Sequence, residues 1–474
     1  MGRDPGLNEM RERELANLSF EEAPRIVSEM LPGPKSQKLI DIETENETVT
    51  RVIPNVMPAA WEQARGATVK DPDGNYYIDL TAGIAVNNVG HCHPQVVETI
   101  NQQCKLLMHN PDAPNPSRAR LGQKLQQLAP GKLKGNVKMA YGLSGSSAVE
   151  IAVKFARAAT GKSHIVAFQG AYHGALGTTV SLTTSQQFRS NYGPFNPYVY
   201  HTGPYAYCYR CPFKLEYPKC ELECAKYIEN QLLGPSSGID IENVAALIVE
   251  PVQGEGGYVP PPEGFLNALK EICEKADILY IDDEVQAGMG RTGKMFAIEH
   301  YGVTPDLITL GKALGGDLPF SAVLTENSVA EKLSPMSHIL TAVGNATSSA
   351  VACTNIDLLQ DGLLERAEKL GGYTRDMLQD MMNEIEMIGD VRGKGFMIAI
   401  ELVKNRETKT PIDLGDLMQI LWGLRENGVL MLPCGRHNNV LRFMPPLVIT
   451  KKHVDRSLET IGAVLKQSQE NILE

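Results

Sequence analysis

The sequence predicts an α/β protein with a large, mostly parallel sheet domain and a smaller α+β domain. Three observations carry that expectation. From about residue 95 to 325, apolar runs such as VKMAY, VAALIV, ILYI and LITL alternate with stretches of 3.6-residue period, as in strands of a parallel sheet joined by covering helices. After Asn345 the pattern changes to long helices with a few short strands, among them FMIAIEL and VLRFM. At 474 residues the chain also exceeds what one hydrophobic core normally organises, so two or three units are expected. The expected division is an N-terminal segment over 1–85, packing partly with the small domain, then a large domain over 86–344 and a small domain over 345–474. A cysteine-rich insertion falls at about 203–226.

Taken in order, residues 1 to about 45 are charged and helix-like, with a break at Pro32-Gly33-Pro34. GATVKDPDGNYYIDLTAGIAV alternates in polarity around Asp73-Gly74 and reads as a hairpin. Four later strands end in unusual residues. NVKMAYGL runs into Ser144-Gly145-Ser146-Ser147, VAALIVE ends at Glu250, ILYIDD at Asp283 and PDLITLG at Lys312. In a parallel sheet the carboxyl ends of strands share one edge, and ligands bind there, so these distant residues can converge.

Composition narrows the function. Lys and Arg number 45 against 56 acids, a net charge of -11, which argues against general affinity for nucleic acid or an anionic membrane. No apolar run approaches a membrane span, and the charged start lacks the apolar core of a signal peptide. A cytoplasmic protein is expected. Nine cysteines scattered through so long a chain are not a secreted disulfide scaffold.

Small residues between a strand and a helix leave backbone N–H groups free to approach an anion, which the helix dipole also favours; the same residues suit a tight turn with a serine cap. Lys312 lies between an apolar strand and the flexible ALGGDLPF segment. A lysine partly removed from water is nucleophilic toward carbonyls, although a lysine can also simply cap a loop. Together, an anion cradle, an acid and a lysine on one sheet edge specify a phosphorylated aldehyde held as a Schiff base. Pyridoxal phosphate fits that description, with a carboxylate on its pyridinium nitrogen.

At this point the chain resembles the class III, or ω-amino acid, aminotransferases of the pyridoxal phosphate fold type I group. The resemblance runs from about residue 55 to 465. Its motifs are GIAVNNVGHCHP (83–94), YGLSGSSAVE (141–150), YHG (172–174), VEPVQGEGG (249–257), DEVQAGMGRTG (283–293), ITLGKALGG (308–316), DVRGKG (390–395) and VLRFMPPLVIT (440–450). The resemblance implies that Lys312 forms the internal aldimine and shuttles the proton, and that Asp283 pairs with the pyridine nitrogen. Val285 packs on one ring face, Gln286 bonds the phenolic oxygen, and Tyr172 stacks on the other face with His173 beside it. Gly145 and Ser146, with Ser144 before them, hold the phosphate, joined by Thr341 from a neighbouring subunit. A homodimer or a dimer of dimers follows. Arg442 and Glu255 resemble the family's switch, in which the arginine takes the α-carboxylate of the amino acceptor and the glutamate neutralises it when an ω-amine enters. A structural ion pair is the alternative.

The resemblance implies amino transfer from an ω-amino or neutral amino acid, or a diamine, to an oxo acid such as 2-oxoglutarate or pyruvate. Two departures bear on this. The phosphate loop reads Leu-Ser-Gly-Ser-Ser-Ala where the family usually has Asn-Ser-Gly-Thr-Glu-Ala. Ala175 follows YHG where members reading a distant carboxylate often carry arginine, which disfavours a strict 4-aminobutyrate enzyme. Some relatives are amino acid racemases or epimerases, the alternative reaction. His91, Cys92 and His93 match the family's Gly-His-x-His-Pro turn and are read as structural. Cys208, Cys211, Cys220 and Cys224, spaced C-x2-C-x8-C-x3-C, suit a metal site, with buried thiols or disulfides stapling the loop as the alternatives. Of the acids in IDDEVQ, Asp283 is expected to face the pyridinium, while Asp282 and Glu284 project elsewhere and meet backbone or solvent.

Overall fold

The computed structural model describes residues 5–51, 53–235 and 237–473; the first four residues of the charged N-terminal segment lie outside it. The chain forms two compact units, Gln95–Leu364 and Met1–Pro94 with Glu365–Glu474. The division therefore falls at 94/95 and 364/365 rather than at 85/86 and 344/345. Asn345 caps the helix Ala346–Leu358, accepting the Ser348 N–H at 2.9 Å, and that helix packs on Pro116–Leu128 of the same unit. Residues 345–364 thus belong to the larger unit.

The larger unit is built on seven strands, β1 (Val137–Gly142), β2 (His164–Gln169), β3 (Val199–Pro204), β4 (Val244–Val249), β5 (Leu279–Asp283), β6 (Leu307–Leu310) and β7 (Ser321–Glu326). Their spatial order is β1-β7-β6-β5-β4-β2-β3. All neighbours run parallel except β7, which is antiparallel to both β1 and β6. Such a sheet is covered on both faces, which is why β4 reads VAALIV without polar alternation and is buried throughout. Helix α1 (Gly145–Thr160) lays Ala148, Val149, Ala152 and Ala156 into a core shared with Ile165, Ala246, Ile248 and Ile281. Small residues on that stripe let the helix backbone lie close to the sheet.

In the other unit, Gln63–Arg65, Thr68–Lys70 and Tyr76–Asp79 form an antiparallel meander, and Val429–Leu430 adds parallel to the last of them. The expected hairpin is present. Asp71 closes its turn by accepting the Asn75 N–H at 2.8 Å, and Gly74 takes the positive φ of 93° that the turn requires. The segments FMIAIEL and VLRFM lie in the strands Met397–Asn405 and Val440–Phe443 of a second sheet. The helix Lys451–Ile472 buries Val454, Leu458, Ile461 and Leu465 at helical spacing. His91 is structural, as the resemblance implied. Its Nε2 meets Asp79 Oδ2 at 2.8 Å, and Asp79 also accepts the Thr81 N–H and hydroxyl.

Candidate active site

The four unusual strand ends do converge. One open cavity is lined by Ser144, Gly145, Ser146, Tyr172, His173, Glu255, Asp283, Val285, Gln286 and Lys312, together with Gly174 and Glu250. Ten of the twelve residues singled out in the sequence therefore share one chamber. The other two are placed elsewhere. Thr341 is exposed on the segment preceding Asn345, outside the cavity's lining. Arg442 is buried on the strand Val440–Phe443 of the other unit.

The cradle at the start of α1 is shaped by its serines and its glycine. Ser144 caps the helix, its hydroxyl accepting the Ser147 N–H at 3.2 Å, while Ser147 Oγ accepts the N–H groups of Leu143 and Ser144, each at 2.9 Å. Ser147 thus completes a capping box where the family usually has glutamate. Gly145 is required by its neighbour, since a β-carbon there would lie 2.6 Å from Val285 Cγ1.

Asp283, at the end of β5, is 3% exposed and bonded on both oxygens. Oδ1 accepts the Thr309 hydroxyl at 2.9 Å and the Val285 N–H at 3.1 Å, and Oδ2 lies 2.6 Å from His173 Nδ1. The His173 backbone N–H is fixed by the Thr183 hydroxyl at 3.0 Å, and its Nε2 is buried with no hydrogen-bond partner among the described residues. Tyr172 meets Phe188 edge-on with ring centres 5.0 Å apart, and burial, reinforced by Glu255, pushes its hydroxyl above the usual phenol range. Lys312 follows β6 by two residues and has φ of 41°, a left-handed conformation that lysine seldom adopts. Backbone strain of this kind concentrates at functional sites.

Of the backbone or solvent expected to meet Asp282 and Glu284, solvent is excluded, for they are 0% and 1% exposed, and Glu284 meets backbone. Residues two apart on a strand share a face, so both turn away from the face Asp283 uses. Glu284 Oε1 accepts the Ile298 N–H at 2.8 Å. Burial pushes Glu284 up to about 7, and burial and the Glu284 charge together push Asp282 well above the carboxylate range. Both carboxyls are thus held toward the neutral form, which is how two acids on one face tolerate a dry layer.

Glu250 was legible as a strand end but had no assigned task in the sequence. It is 6% exposed; burial raises it to about 7, with His173 opposing and Asp283 adding to the rise.

The cysteine-rich insertion forms a separate small cavity. Cys208, Cys211, Cys220 and Cys224 all line it as free thiols. Burial and the neighbouring thiols raise Cys208, and burial above all pushes Cys224 up to about 12, so neither is a reactive thiolate at neutral pH. Among the described residues no group of three His, Cys, Asp or Glu side chains is arranged to hold a metal ion.

The large unit's sheet and this chamber at its carboxyl edge define a fold type I enzyme working with pyridoxal phosphate. Residues 51–465 match the family model described as Aminotransferase class-III, and the chain belongs to that family of pyridoxal phosphate-dependent aminotransferases. It is 38% identical to a leucine/methionine racemase of Thermococcus litoralis, over 90% of this chain and 95% of that one. It is 37% identical to a 4-aminobutyrate aminotransferase of Mycobacterium bovis, over 94% and 99%. Among solved structures, an ornithine aminotransferase of Toxoplasma gondii with partial pyridoxal phosphate occupancy superposes with a TM-score of 0.80 at 27% identity, covering all of both chains.

Proposed function

We propose that this enzyme moves an amino group from an ω-amino acid, a neutral amino acid or a diamine to an oxo acid such as 2-oxoglutarate or pyruvate. The observation that carries the reading is the meeting of Lys312, Asp283 and the α1 cradle in one cavity. These residues fit pyridoxal phosphate. The helix start offers N–H groups to a phosphate, Gly145 and Gly174 pack beside it where a side chain would strike Val285 or Ser146, and Asp283 lines the same cavity to meet a cationic partner. When bound, the cofactor supplies an electron sink for a carbanion at the substrate's α-carbon.

The chain's own residues do the rest. Lys312 would hold the cofactor through Nζ and move the proton taken from the α-carbon. Asp283 would keep the ring nitrogen protonated, with His173 anchoring Asp283. Val285 and Tyr172 would cover the ring, Gln286 would bond its phenolic oxygen, and Ser144, Gly145 and Ser146 would hold its phosphate. Arg442 binds a substrate carboxylate, and Glu255 supplies the counter-charge when an ω-amine enters. A homodimer is the working assembly, with Thr341 of each chain completing the phosphate site of the other. Its exposure, and its place outside the lining of its own chain's cavity, support that role. A cytoplasmic setting belongs to this reading. Among the described residues no helix is long and apolar enough to cross a membrane.

Racemisation or epimerisation is the second reading, favoured by the 38% identity to a racemase. A panel of amino donors, run with and without 2-oxoglutarate or pyruvate, separates the two. Amino transfer requires the acceptor and yields a new amino acid. Loss of optical rotation by a single amino acid, without acceptor, would replace the transaminase reading by the racemase.

A further inference from the structure

Glu250 lines the cavity, yet nothing in the chemistry above uses it. Its carboxylate is divided between two chain segments. Oε1 accepts the Tyr172 N–H at 3.0 Å, and Oε2 accepts the Gly254 N–H at 2.8 Å. Both segments carry residues that the proposed site needs. The first presents Tyr172 and then His173, whose Nδ1 meets Asp283. The second brings Gly254 so near Gln286 that a β-carbon on it would lie 2.6 Å from Gln286 Oε1, and it continues directly into Glu255. His173 and Asp283 act electrostatically on Glu250, and Tyr205 secures the strand end, its hydroxyl donating to the carbonyls of Glu250 at 3.1 Å and Pro251 at 3.3 Å.

We infer that Glu250 is a positioning residue of the cofactor site. One buried carboxylate ties the Tyr172–His173 segment and the Gly254 turn to the end of β4, which sets His173 against Asp283 and Gln286 at the ring edge. It also places negative charge near the pair that faces the ring nitrogen. Only a carboxylate does both, because each of its oxygens accepts. A glutamine turns an N–H₂ group toward one of the two N–H donors, leaving that donor unsatisfied, and removes the charge. An aspartate keeps the charge but is one methylene too short to hold both segments.

The inference rests on the assignment of this cavity to pyridoxal phosphate, and the two are separable by experiment. Cofactor-free Glu250→Gln, Glu250→Asp and Lys312→Ala proteins are titrated with pyridoxal phosphate by equilibrium dialysis, and the visible absorption band of the loaded protein is followed against pH. Glu250→Gln is expected to weaken binding about ten- to a hundredfold, as expected for a buried donor left unpaired. Its band midpoint should move to lower pH, since lost negative charge disfavours a protonated cofactor. Glu250→Asp should weaken binding with the midpoint unmoved. Affinity and midpoint both unchanged in Glu250→Gln overturn the inference. Should that protein not fold, unchanged affinity in Glu250→Asp overturns it equally. A wild-type band in Lys312→Ala would instead remove the cofactor assignment itself.

Discussion

Asp283 accepts three hydrogen bonds within the protein, from Thr309, the Val285 amide and His173, out of roughly four lone-pair sites that a carboxylate offers. One remains for a cation, and a ring N–H⁺ would fill it. Asp283→Asn is therefore expected to lower kcat by about 10²- to 10⁴-fold, the range of a positioned proton-controlling group. Steady-state kinetics checks it, with the circular dichroism spectrum as the control for folding. On the opposite face of the same strand, Glu284 makes a different prediction. Its folded-state value of about 7 lies above the ordinary 4.5, so the folded protein binds more protons than the unfolded chain between those values, and stability falls as pH rises through that window. Glu284→Gln keeps an acceptor for the Ile298 amide and offers Asp282 a permanent donor. Its stability should decline less from pH 5 to pH 8 than that of the wild type, by on the order of 2 kcal/mol, as urea denaturation at the two pH values would show.

At the scale of elements, the start of α1 is where sequence and structure agree most closely. Small residues after an apolar run marked an anion cradle, and the cradle lines the cavity with Lys312 and Asp283. The capping box was not legible, because a serine at the glutamate's usual position does the work through a hydroxyl reaching back to its cap. Ser147→Ala should cost about 1 kcal/mol in stability, the usual size of a lost cap, measurable by thermal denaturation of the cofactor-free protein. Gly145→Ala is more severe for function. Its methyl group meets Val285, and the displacement should weaken pyridoxal phosphate binding about tenfold or more, within the usual range for overpacking. The burial of Asp282 and Glu284 was also hidden, since adjacent acids at a strand end suggest solvent until the covering layer is seen. Glu250 gave a partial signal: its strand-end position was visible, but the two amides it holds come from segments 78 residues before it and 4 after.

For the whole molecule, the alternation of strands and helices announced the parallel sheet, whereas the antiparallel β7 and the allocation of residues 345–364 depend on long-range pairing that no local pattern encodes. The shared site proposed here has a direct test. Mixing inactive Lys312→Ala with Thr341→Glu protein, followed by subunit exchange, should restore activity above either parent, because the mixed dimer contains one site with both groups intact. No gain on mixing, with dimers verified by sedimentation, would place Thr341 outside any shared site. The left-handed backbone at Lys312 has a consequence for the molecule as a whole. Glycine is the residue that rests easily there, and lysine holds the position at a cost of about 1–3 kcal/mol. A Lys312→Gly protein should therefore melt at a higher temperature than the cofactor-free wild type while being catalytically dead. Lysine at this one position holds the fold below the robustness that glycine would allow there.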